Sequence, residues 1–435
     1  MTATTVRKPT GPAQPAGEAA RPEKSLAERR KRSGRLKEGL PPAFHLTWVI
    51  TAILLVAGLC MMLSVSTAVT SGDKFGYLRN QGITAAVGVC ALLLLSRADH
   101  RRLRSWSVAF MALVVFSLLL VHVPGVARSE GGSASWIPLG PLSFQPSEFA
   151  KLAVVLLGAH LLTSRRVADG RFWSLMWPFG VAGLAMCVLV FLEGDLGTAI
   201  IIAGLMMGML WLGGMKGSHW ALIAVAGCAG ALGLTLLNAE RFTERMSRVL
   251  SFLNPSSDPQ GSSYQLTQSL VALGRGGWFG VGPGESVQKF QYLPKARTDM
   301  IFAILGEEFG LLGAGFVILL FGVFAVACWR LARRCGDPMG KLLIAGCGML
   351  IILQATVNIG GVIGALPLTG VPLPFISYGR NSLLVMLIAV GLILAAGKRA
   401  PVAAAQSQGE RYDNVTHIDR RRWDGRARGA RAGAR

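Results

Sequence analysis

Charge is what this sequence has least of. Asp, Glu, Lys and Arg make up 15% of its 435 residues, against about 25% in a soluble domain. That shortage argues against a cytosolic enzyme and a disordered regulator alike. Cysteine is sparse too. The seven cysteines form no CxxC pair, and none falls in an expected outer loop, which disfavours disulfides and a zinc site. The N-terminal stretch lacks a short apolar core with a small-residue cleavage site, so no cleavable signal peptide is expected. The alternating segments of about ten residues that mark a membrane barrel are missing as well. Apolar residues are abundant, at 52% of the chain, in blocks approaching the roughly 20 residues that span hydrocarbon as a helix. A backbone in lipid has to satisfy its own polar groups. The expected fold is therefore an all-α polytopic membrane protein of about ten transmembrane helices.

The spans are read at 46–66, 80–96, 105–123, 147–163, 174–192, 197–213, 219–237, 300–329, 341–363 and 381–397. With the N-terminus in the cytoplasm, the inner segments hold 32 of the 44 lysines and arginines, as the positive-inside rule requires. The domain reading follows: a basic disordered cytoplasmic tail over 1–45, a membrane domain over 46–397, and a basic cytoplasmic tail over 398–435. The net charge of +21 is read as topology signal and attraction to anionic lipid. Nucleic-acid binding is set aside, because the tails lack interleaved aromatics. Gly204 and Gly208 in the sixth span predict close helix packing.

The polar chemistry gathers outside. The loop at 238–299 is far longer than the 12–15 residues beyond which loops are usually functional or disordered. It carries Arg241, Arg245, Arg248, Arg275, Lys289, Lys295 and Arg297. Such a cationic outer loop suits a phosphate-bearing ligand, although surface pairs such as Glu244 with Arg248 account for it equally simply. Tyr264 to Leu273 reads as an interfacial helix, followed by a Gly-rich turn at 274–284 whose backbone could approach a ligand. Asp299 stands where the loop enters the eighth span. It reads either as an ordinary first-turn acid behind a Thr298 cap or as a carboxylate able to take a proton from a sugar hydroxyl. Glu148 and Lys151 lie one turn apart inside the fourth span, a pairing that marks a functional site by default. Glu193-Gly-Asp195 makes a tight outer turn, and Glu307 and Glu308 need a polar interior. The Pro-rich segment 366–379 cannot be a regular span and reads as a re-entrant lid or groove wall.

Six motifs in order carry a resemblance: SASWIPLGPLSFQPSEFAKL at 133–152, GDLGTA at 194–199, FLNPSSDPQGSSYQLTQSLVALGRGGWFGVG at 252–282, QKFQYLP at 288–294, TDMIFAILGEEFGLLG at 298–313 and NIGGVIGALPLTGVPLPFISYG at 358–379. Over about 46–397 the chain resembles the SEDS family of FtsW, RodA and SpoVE, with QKFQYLP closest to the FtsW branch.

The resemblance implies a peptidoglycan glycosyltransferase that polymerises lipid II at the outer membrane face. Implied partners are a class B penicillin-binding transpeptidase and other divisome proteins at the septum. The rival readings are a lipid II flippase and a non-catalytic divisome member. The family's catalytic aspartate aligns onto Asp299, and Glu148 and Lys151 fall beside its central cavity. The substrate-binding candidates are Glu148, Lys151, Arg248, Gln265, Gln268, Arg275 and Lys289. No cofactor is secured by the resemblance; a divalent cation, Mg or Mn, held partly by Asp299, is the candidate. The chain departs from the family pattern at Lys295, Arg297, Met300 and Arg380. The two cations nearest Asp299 are expected to depress its pKa.

Overall fold

The structure, a computed structural model, describes residues 40–66, 75–100, 103–130, 133–140, 142–163, 176–237 and 262–398. Both tails and residues 238–261 lie outside them, so Glu244 and Arg248 cannot be placed. The described chain is mostly helical. In order it runs α1 Pro42–Ser66, α2 Gly76–Arg97, α3 Leu103–Val121, strands β1 Arg128–Glu130, β2 Ser133–Leu139 and β3 Leu142–Phe144, then α4 Pro146–Leu161. It continues with α5 Val181–Leu192, α6 Leu196–Leu212, α7 Gly217–Leu237, α8 Ser262–Gly276, α9 Ile301–Arg334, α10 Pro338–Val362 and α11 Arg380–Gly397. Among the described residues, six helices (α1, α2, α3, α9, α10 and α11) are long and apolar enough to cross a membrane. Leu94 and Val225 are each 68% exposed and Phe116 58%. An outward surface of that kind suits hydrocarbon rather than water.

Local sequence explains where the helices begin. Asp195 caps α6 by accepting from Thr198 N–H at 2.9 Å, and Asp337 caps α10 by accepting from Gly340 N–H at 3.0 Å. Pro146 and Pro338 open α4 and α10, where proline has no helical bond to lose. The Gly204 and Gly208 expectation holds. Added methyl groups there would come within 2.6 Å of Leu353 and 2.2 Å of Met349 on α10, so α6 and α10 pack at close range. None of the seven cysteines is in a disulfide.

Two features differ from the sequence reading. A small antiparallel sheet ordered β1-β2-β3 precedes α4, with Ile137 opposite Phe144 and Leu139 opposite Leu142. The span pattern gave no sign of it. The eighth span is also not one helix. At Gly310 the backbone turns to φ 68°, ψ −168°, dividing α9 into a short first part, Ile301 to Phe309, and a long second part.

The break has a chemical partner. Gly277 O accepts from Leu311 N–H at 2.8 Å, and Trp278 O accepts from Leu312 N–H at 3.2 Å. In return Val281 N–H donates to Glu307 O at 3.0 Å and Gly282 N–H to Glu308 O at 3.1 Å. The glycines are needed for this approach: a methyl on Gly280 would sit 2.1 Å from Glu308 O, and one on Gly310 would sit 2.4 Å from Gly280 N. The Gly-rich run therefore approaches a broken helix and supplies the partners that the break frees.

Candidate active site

Asp299 closes the turn-rich stretch that follows α8. Its expected cap is not made, because α9 begins after Met300 without a side-chain cap and the Thr298 hydroxyl donates to Lys295 O at 3.2 Å. Lys295 itself holds φ at 55°, a left-handed conformation uncommon outside glycine. Its carbonyl is fixed there by Thr298 N–H at 3.0 Å and Met300 N–H at 3.3 Å. The turn directs Lys295 Nζ to within 3.8 Å of Asp299 Oδ2.

The backbone of Asp299 is held from α10. Asn358 Nδ2 donates to Asp299 O at 2.8 Å and to Val371 O at 2.7 Å. One turn earlier on the same helix, Gln354 Nε2 donates to Pro372 O at 2.9 Å and Ser382 Oγ at 3.0 Å. The Pro-rich segment thus enters the bundle: Val371, Leu373, Phe375 and Ile376 are buried, and a methyl on Gly370 would touch Asp299 Oδ2 at 3.6 Å. It forms a wall beside the carboxylate. Tyr378 N–H donates to Arg297 O at 2.9 Å, while the Arg297 guanidinium lies over Tyr77, 4.6 Å from the ring centre.

Below this sits the α4 pair. Lys151 is fully buried, with Nζ 2.7 Å from both Glu148 Oε1 and Gln354 Oε1. Asp195 feels the fields of Glu148 and Lys151, and Asp299 feels that of Asp195. Asp299, Asp195, Glu148 and Lys151 therefore form one electrostatic group, with Glu193 beside Asp195 at its edge.

Burial dominates the acids. It pushes Asp299 up to about 6, Lys295 pulling it down and Asp195 pushing it further up. This corrects the expectation of a depressed pKa: desolvation outweighs the nearby cation. Asp195 is raised for the same first reason. Glu193 is pushed up to about 8 by burial and then by Asp195, while Ser135 on β2 lowers it.

Glu307 and Glu308 both face a polar interior, in a second cluster. Glu307 accepts from the Ser286 hydroxyl, from Val287 N–H at 3.1 Å and from Gln288 N–H at 3.3 Å, and lies 3.7 Å from Arg275 Nη1. Lys289 donates to Glu308 Oε1 and to Ser64 Oγ on α1, each at 3.1 Å. Lys289 and Arg275 thus meet these two acids, not Asp299. Gln265 and Gln268 are half-buried on α8, which Ser269 Oγ ties to Val362 O at the end of α10 at 2.9 Å. Arg380 Nη2 donates to Ser143 Oγ on β3 at 3.1 Å.

Sequence reasoning missed Gln354 and Asn358 as supports, although two amides four residues apart in an apolar span were a readable signal. It named Lys295 as a loop cation, a departure from the family and one of two cations near Asp299, but not the left-handed turn that places it. Among the described residues, no group of three or more His, Cys, Asp and Glu is placed to hold a metal ion. The charged neighbour of Asp299 is an ammonium, so this donor set does not fit a divalent cation there.

A family model described as cell cycle protein, FTSW_RODA_SPOVE, matches residues 44–400. Stage V sporulation protein E of Bacillus subtilis (strain 168) is 38% identical over 349 residues, covering 80% of this chain and 94% of that protein. A probable peptidoglycan glycosyltransferase FtsW of Alcanivorax borkumensis is 40% identical over 377 residues, covering 83% and 95%. Among solved structures, a chain described under structural coordination of polymerization and crosslinking by a peptidoglycan synthase complex matches with a TM-score of 0.65 and 26% identity. That match covers 83% of this chain and 99% of the other.

Proposed function

Since this chain belongs to the FtsW, RodA and SpoVE family of cell cycle proteins, we propose that it is a peptidoglycan glycosyltransferase polymerising lipid II into β-1,4 glycan at the outer face of the bacterial plasma membrane. The observation that carries this reading is Asp299: a carboxylate 8% exposed, held by its backbone to α10 and walled by the Pro-rich segment, with a half-exposed ammonium beside it. Its pKa of about 6 leaves it ionised at neutral pH and a stronger base than an ordinary aspartate, which suits general-base work.

In the proposed step the acceptor's GlcNAc 4-hydroxyl oxygen attacks the donor's anomeric carbon, and its proton passes to Asp299. The bond from that carbon to the diphosphate oxygen breaks, and its electron pair stays on the lipid diphosphate. The configuration inverts. Lys151 and Glu148 set the charge beneath the site, while Asn358 and Gln354 keep its walls in register. Gln265 and Gln268 on α8 line the approach of the lipid-linked sugar. Arg248 and Arg275 add positive charge to the outer loop.

The wider setting belongs to the same reading. The chain crosses the membrane ten times with both termini in the cytoplasm, and the long loop before α9 faces outward. It works at the septum with a class B penicillin-binding transpeptidase and other division proteins.

The test is reconstitution of the purified protein and its transpeptidase with lipid II. Glycan polymer is expected from the wild type and none from Asp299→Ala. Movement of lipid II across vesicles without polymer would favour a flippase instead.

A further inference from the structure

The cations around the site differ in what they can still do. Lys151 is fully enclosed between Glu148 and Gln354. Lys289 is enclosed by Glu308, Ser64 and Gly284. Arg275 faces Glu307, Arg297 lies on Tyr77, and Arg380 reaches Ser143. Lys295 differs in its partner, not in its exposure, since Arg275 is also 45% exposed. The Lys295 side chain is 49% exposed, and its ion pair among the described residues is with Asp299, at 3.8 Å. Its backbone is held left-handed by three donors to its carbonyl, so the ammonium is placed by a fixed turn. At that distance it contacts Asp299 without satisfying it and keeps donors free on its open side.

From this geometry we infer that Lys295 is the cation that meets the departing lipid diphosphate at Asp299, in the place a divalent metal ion would otherwise take. The inference rests on the glycosyltransferase reading and gives that site its leaving-group contact. As the anomeric carbon–oxygen bond breaks, the electron pair left on the phosphate oxygen accepts a charge-assisted hydrogen bond from Lys295 Nζ. An ammonium brings its own charge and needs no carboxylate ligands, which agrees with the donor set here.

Two readouts test this with the full-length protein. The first is lipid II polymerisation in the presence of a chelator or of added Mg²⁺ or Mn²⁺. Wild-type rates are expected to be unchanged by chelation. Lys295→Asn, which keeps a residue tolerant of the left-handed turn, is expected to slow polymerisation about 10²–10³-fold, and Lys295→Arg to restore most of it. The second readout is binding of undecaprenyl diphosphate in the chelator. Lys295→Asn is expected to weaken it about tenfold or more, and Lys295→Arg is not. A wild type silenced by chelation, or a Lys295→Asn protein that binds the lipid diphosphate as tightly as wild type, overturns the inference. A wild type inert toward lipid II that still binds the diphosphate through Lys295 would remove the glycosyltransferase reading and leave the cation site standing.

Discussion

Two buried polar groups lie within the same bundle, and they are built on opposite plans. Around Asp299, four carboxyl groups (Glu148, Glu193, Asp195 and Asp299) share two ammonium groups, Lys151 and Lys295. Among the described residues, Glu148 Oε2 has no hydrogen-bond partner. Around Glu307 and Glu308, two carboxylates meet two cations, Lys289 and Arg275, with hydroxyl and backbone donors supplying the rest. Buried polar groups are nearly always satisfied, and the exceptions need a reason. The balanced group ties the loop after α8 to α9 and α1. The unbalanced group keeps acids poised to change protonation.

The largest expected break in this comparison is Asp299→Ala. Removing a general base costs roughly 10²–10⁴-fold in rate. Its thermal unfolding should be unchanged or slightly raised, because a disfavoured buried charge disappears. Loss of polymer together with loss of fold would erase the distinction between the two groups.

Lys289→Met should show the opposite signature. It strands Glu308 without its ion partner, and breaking a buried pair typically costs about 3–5 kcal/mol of stability. The double change Lys289→Met with Glu308→Leu should recover much of that loss in detergent melts. If the single variant melts like wild type but makes no glycan, the second group is functional after all.

The pH dependence sharpens the contrast further. Asp299 works deprotonated, so polymerisation should fall as pH drops through about 6. Lys295 lowers that value, so the acid limb should move to higher pH in Lys295→Asn, read from whatever rate remains. A limb that stays put would separate Lys295 from Asp299 electrostatically.

The smallest effect is expected at Glu193. Its folded value of about 8 lies above the ordinary carboxylate range, so it is protonated at neutral pH. A raised acid contributes stability that is present at low pH and lost as pH rises through the folded value. Melting temperature should therefore fall as pH rises from the unfolded value of 4.5 to the folded value of about 8 in the wild type, and fall less steeply in Glu193→Gln.

Much of this was legible in the residues. The apolar blocks gave the helices because span length is a direct physical requirement. Glu148 with Lys151, and Asp195 at its turn, were readable because charge in an apolar span is costly. Asp299 could be singled out only with the help of family motifs, since its spacing alone fits a helix start. The rest depended on tertiary contacts. The break at Gly310 is invisible in a hydropathy profile, because Ile301 to Arg334 is apolar throughout and the conformation is set by the run at 276–282. The direction of the Asp299 shift needed its burial, which outweighs a cation that sequence alone can see. The strands β1 and β3, three residues each, are too short to show a period.

The lattice of backbone bonds between residues 276–282 and 307–312 also bears on how the chain can vary. Those segments are about thirty positions apart in sequence, yet neither can slide without unpairing the other. Length can change freely only where no such bonds cross. An insertion between Gly276 and Gly282 would carry the register error through α9 to Asp299.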